Sequence, residues 1–116
     1  MSAIIIDNEL VHYEVLGRGK PVLFLHSWIG TWRYWISVMQ SASIGFRTYA
    51  LDLWGFGDSA KNKKYSINDQ AQLILQFLEK LGILRIAVVG HGLGGIVALE
   101  LAKIMPEVVD RIFAIS

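Results

Sequence analysis

The stretch Val88-Val89-Gly90-His91-Gly92-Leu93-Gly94-Gly95 decides how this chain reads. A short, continuously apolar run, Ile86 to Val89, has the character of a strand covered on both faces. It passes directly into Leu93 to Met105, a mostly apolar segment of helical length that Pro106 stops. A strand that turns sharply into a helix needs residues without bulk at the corner. The glycines at 90, 92, 94 and 95 meet that need.

Working outward, strand and helix keep alternating. Arg111 to Ile115 reads as a final strand. Upstream, Ser66 and Asp69 form a capping signature, and Ile67, Ala71, Ile74, Leu78 and Leu81 make one helical stripe that ends at Gly82. Arg47 to Leu51 and Val22 to Leu25 read as strands. Between them lies a helix that Thr31 can cap, with Trp32, Trp35, Ile36 and Met39 at helical spacing. Ile4 to Ile6 and Val11 to Val15, parted by Asp7 and Asn8, read as an antiparallel hairpin. The order after the hairpin predicts an α/β fold: a mainly parallel sheet with right-handed crossovers and helices on its two faces.

Composition narrows the function classes. The 116 residues amount to less than one average domain, and 53% are hydrophobic against 18% charged, which excludes a disordered tail. Eleven Lys plus Arg against ten Asp plus Glu leave a net charge of +1, so no electrostatic footprint for nucleic acid exists. Cysteine is absent, which removes disulfides, thiolate metal sites and cysteine nucleophiles. No basic region followed by an apolar stretch opens the chain, and its longest uncharged run, Ile86 to Leu99, is too short for a bilayer. A cytoplasmic, membrane-free protein without metal or cofactor is the expectation. A mean hydropathy of +0.44 is high for this size, and suggests apolar surface awaiting a partner or more chain.

Three stretches in register resemble the α/β-hydrolase fold family. Gly90, His91, Leu93, Gly94 and Gly95 match that family's Gly-His-Ser-x-Gly-Gly elbow. Phe24-Leu25-His26-Ser27-Trp28-Ile29-Gly30 resembles its His-Gly loop, and Asp52-Leu53-Trp54-Gly55-Phe56-Gly57-Asp58-Ser59 its Asp-x-x-Gly-x-Gly-x-Ser loop. The resemblance implies that residues 1–116 form the N-terminal half of an α/β-hydrolase core, through about the sixth strand. It also implies an enzyme of the serine hydrolase or esterase type acting on a small apolar ester-like substrate, with the backbone N–H groups of Leu93 and Trp28 as oxyanion donors.

This chain departs from the family in two places. Ser27 stands where the family usually has Gly, and Gly92 stands at the nucleophile position without a side chain. The family's catalytic acid and histidine come from loops after later strands. The expectation is a chain inactive or nearly so, because nucleophile, base and orienting group are all missing from matching positions. His26, Ser27, Trp54 and His91 are carried as candidate binding residues, the two histidines in structural hydrogen-bonding roles. Trp28 and Trp54 are candidates to line an apolar pocket, and Trp32 and Trp35 are core residues. Asp52, Asp58 and Ser59 read as loop braces, and His12 as lying far from the strand ends.

Two readings of another class stay open. One is a non-catalytic interaction protein that pairs through an exposed sheet edge, by self-association or with a missing C-terminal half. The other is dinucleotide binding through Gly90-x-Gly92-x-x-Gly95, a fingerprint that follows a strand and opens a helix. It expects an acidic residue at the far end of the next strand. That end is Ile115 and Ser116, whereas Asp110 is placed before the strand.

Overall fold

The computed structural model describes residues 2–115, folded around a mixed six-stranded sheet of order β1-β2-β4-β3-β5-β6. β1 (Ser2–Ile6) and β2 (Glu9–Leu16) form the antiparallel hairpin, with Asp7 and Asn8 both at positive φ in its turn. β2 then pairs antiparallel with β4 (Phe46–Leu51). β3 (Lys20–Leu25) lies parallel between β4 and β5 (Ile86–His91), and β6 (Val109–Ile115) lies parallel outside β5. The carboxyl ends of β3, β4, β5 and β6 therefore share one edge of the sheet, where an open α/β sheet carries its ligands.

Alternation along β3 splits the interior into two layers. Leu23 and Leu25 face the larger core, which they share with Ile74, Phe77 and Leu78 of α2 (Ile67–Leu81) and Val97 and Leu101 of α3 (Leu93–Ile104). Phe24 faces the other way, with Ala50, Trp35 and Met39, beneath α1 (Ile36–Ala42). α2 forms as its stripe predicts: the Ser66 hydroxyl accepts the Asp69 N–H at 3.0 Å, and Gly82 closes the helix in the left-handed region at φ 71°.

The structure corrects four sequence expectations. The helix after Thr31 is two pieces: a 3₁₀ turn over Trp32–Trp35, where the N–H of Ile36 reaches the carbonyl of Arg33, and then α1. Asp110 lies inside β6, which starts at Val109, because the 3₁₀ turn Pro106–Val108 delivers the chain to the sheet two residues early. His12 is not remote from the strand ends. The antiparallel register sets it opposite Asp52, whose N–H donates to the His12 carbonyl at 2.9 Å. Trp54 is 2% exposed in the larger core, where Gln70 of α2 bonds both its backbone N–H and its carbonyl, and it does not line the apolar hollow beside Gly92.

Candidate functional site

The turn from β5 into α3 is compact because its glycines are unavoidable. A Cβ on Gly90 would collide with the backbone of Gly94 and Gly95, and one on Gly94 with the backbone carbonyl of Leu25 in β3. Gly92 sits between them at φ 55°, ψ −115°, a conformation that L side chains rarely adopt. Its N–H donates to the Ile115 carbonyl at 2.8 Å, and its carbonyl receives the N–H groups of Gly95 and Ile96. The N–H groups of Leu93 and Gly94, which open α3, lie at the positive end of its dipole.

The loop after β3 faces this corner. His26 is fully buried and spans two loops: its Nε2 accepts the Leu53 N–H at 3.1 Å, so Nδ1 carries the proton and donates to the Ser27 carbonyl at 2.7 Å. Burial pushes the imidazole below its usual pKa of 6.5, against opposing pulls from the Ser27 carbonyl and the Asp52 charge. Both ring nitrogens are engaged, which makes His26 a structural bridge. The Ser27 carbonyl also accepts the Gly30 N–H at 3.0 Å, so the loop is tied at Ser27 from two directions. A Cβ at position 92 would fall inside the van der Waals envelope of Ser27 Oγ and 3.2 Å from Ser27 Cβ.

Trp28, 58% exposed, forms one wall of an apolar hollow of about 290 Å³ with Gly92, Leu93, Ile96, Leu99 and Ile115. The hollow brings Trp28, Gly92 and Leu93 together, as the motifs suggest. It excludes Trp54. His91 is half-buried on the other flank, its ring stacked on Tyr34 at 5.0 Å and 6°, a partner with no signal in the motif itself.

The loop after β4 is a bracing unit. Asp52 is fully buried, and its carboxylate accepts the N–H groups of Trp32 at 2.8 Å and Asp58 at 3.0 Å. Ser59 Oγ donates to the Asp52 carbonyl and accepts the His12 N–H. His12, Asp52 and Asp58 hold ligand-type atoms within 4.8 Å of one another, the set among the described residues with metal-like spacing. Asp52 is committed, since both its oxygens receive backbone N–H groups; His12 Nε2 lies 2.8 Å from the Glu14 carboxylate and His12 Nδ1 lies 3.8 Å from that of Asp58. As for the dinucleotide fingerprint, β6 ends in Phe113, Ala114 and Ile115. Asp110 is at its opposite end, 3.3 Å from Arg85.

Comparison with known proteins places this architecture. A profile of the α/β hydrolase fold matches residues 20–116. The chain belongs to the α/β-hydrolase fold family. It is similar to a soluble epoxide hydrolase of Corynebacterium sp. (strain C12), at 31% identity over 112 residues, covering 96% of this chain and 39% of that protein. It is also similar to a putative carbamate hydrolase of Stutzerimonas stutzeri, at 32% identity over 112 residues, covering 91% of this chain and 42% of the relative. Among solved structures, the epoxide hydrolase CorEH superposes with a TM-score of 0.95 at 31% identity, covering 97% of this chain and 40% of that one. An epoxide hydrolase of Vigna radiata gives 0.93 at 28% identity, covering 99% and 39%. The chain thus spans about two fifths of the length of these four proteins. No helix among the described residues is long and apolar enough to cross a membrane.

Proposed function

We propose that this chain carries the acyl- or epoxide-type substrate corner of an α/β-hydrolase and, as written, does not turn substrate over. The hollow walled by Trp28, Leu93, Ile96 and Leu99 would take a small apolar ester, or an epoxide of the kind named for several relatives, with the N–H groups of Leu93 and Trp28 directed at its oxygen. The observation that carries the reading is Gly92: the elbow backbone is in place and no reacting atom stands on it. An oxyanion hole without a nucleophile retains only residual catalysis.

The test is a progress curve with 4-nitrophenyl butyrate and with styrene oxide. The reading expects steady-state rates at the buffer level. Saturable turnover that scales with protein, and persists in both Ser59→Ala and His91→Ala, would overturn it.

A second reading has one observation in its favour. Among the described residues β6 pairs with β5, and Phe113 and Ile115 on it are 60% and 48% exposed, an apolar strand that would suit pairing with a further strand of another chain. Light scattering that finds a monomer of 13.0 kDa at all concentrations would count against it.

A further inference from the structure

Two departures from the family pattern, at Ser27 and at Gly92, meet in space. The loop that normally offers a glycine offers a hydroxyl, and the elbow that normally offers a side chain offers a glycine. The structure closes the gap between them: Ser27 Oγ lies in the volume that a Cβ on residue 92 would need. The overlap is with the end of one short side chain, not with backbone. Ser27 is held there by its carbonyl, which accepts from His26 Nδ1 and from the Gly30 N–H. Ser27 is half-buried, and the two residues its hydroxyl stands between, Trp28 next in the chain and Gly92 across the corner, both line the hollow.

The geometry points to Ser27 as the transposed reacting group of this site: its Oγ, delivered from the loop after β3, takes the place of the elbow side chain and meets an acyl- or phosphonyl-type electrophile seated in the hollow. This rests on the preceding reading of the hollow, and it adds a covalent step that stops after one event. Oγ–H breaks, Oγ bonds to the electrophilic carbon or phosphorus, the leaving group departs with its electron pair, and the proton passes to bulk water. His26 cannot take that proton quickly, since Nε2 accepts from Leu53 and Nδ1 already donates to the Ser27 carbonyl. Acylation therefore needs a strongly activated reagent, and release of the adduct stalls.

The experiment is to incubate the intact chain with an alkyl fluorophosphonate and to follow the mass, then map the modified peptide. The expected product is one phosphonyl group per chain on Ser27, with fluoride released. It should form about a hundred-fold faster than on any other serine, the order of magnitude one oxyanion donor contributes. Ser27→Ala should take no such label. The transposed variant Ser27→Gly/Gly92→Ser should carry it at residue 92, which separates a site effect from a folding defect. An unlabelled wild-type chain, or label spread over other serines and unchanged in Ser27→Ala, overturns the assignment. The two readings fail separately: 4-nitrophenol release continuing beyond one equivalent per chain overturns the absence of turnover, and the fluorophosphonate map judges Ser27.

Discussion

The loops after β4 and β5 leave the same edge of the sheet and both use glycines at positive φ, but for different reasons. After β4, Gly55 and Gly57 stand where a Cβ would strike the Tyr65 ring and the Asp52 carboxylate. The carboxylate is already committed to two backbone N–H groups. After β5, the obstacle above Gly92 is the Ser27 side chain alone, its hydroxyl first and its Cβ behind it. The first loop is closed by bonds that hold the fold together. The second is closed by a contact that one substitution removes.

The largest effect belongs to the brace: Asp52→Ala leaves two inward-facing N–H groups without their acceptor and should cost about 3 kcal/mol of unfolding free energy, read from urea melts. An unchanged midpoint would show that the loop does not depend on its carboxylate. Next comes Gly94→Ala, which drives a methyl against the Leu25 carbonyl in β3 and should cost about 2 kcal/mol by the same measurement. Gly92→Ala meets both an unfavourable φ and the Ser27 hydroxyl. In a double-mutant cycle with Ser27→Gly, about 1 kcal/mol of its cost should disappear, and strict additivity would mean that the two positions do not touch.

The smallest effect is a slope against pH. His26 has its folded pKa lowered from 6.5, chiefly by burial, so below that value the unfolded chain binds the proton more readily than the folded one. The stability held by neutral His26 is complete above pH 6.5 and declines as the pH falls from there through the folded pKa. Comparing urea midpoints at pH 7.5 and 5.5, the drop should be shallower in His26→Gln, whose amide oxygen can still accept the Leu53 N–H. An equal drop in both proteins would place the titration elsewhere.

Much of the scaffold is legible in the chain because its signals are local. α2 announces itself by a stripe, a serine cap and a terminal glycine, and the sheet edge by three motifs that each follow a strand. What escaped is set by partners distant in sequence. Trp54 looks like a pocket residue until Gln70, on another element, fixes it from both sides. His12 looks remote until the β2–β4 register sets it beside Asp52. The first two residues of β6 read as loop because Pro106 and two acids precede or interrupt them, and pairing with β5 outweighs that local preference. The departures at Ser27 and Gly92 are each visible in the sequence. Their contact is not, because no local pattern brings the β3 loop over the β5 corner.

Trp28 gives this molecule an optical consequence. Trp35 and Trp54 are 3% and 2% exposed, Trp32 is half-covered, and Trp28 alone among the four indoles stands mostly in water, on the rim of the hollow. Collisional quenchers in the solvent will extinguish its red-shifted emission first. A molecule settling beside Gly92 will shield that one indole, so the chain carries its own optical gauge of occupancy, readable without a chromogenic substrate and without any reaction taking place.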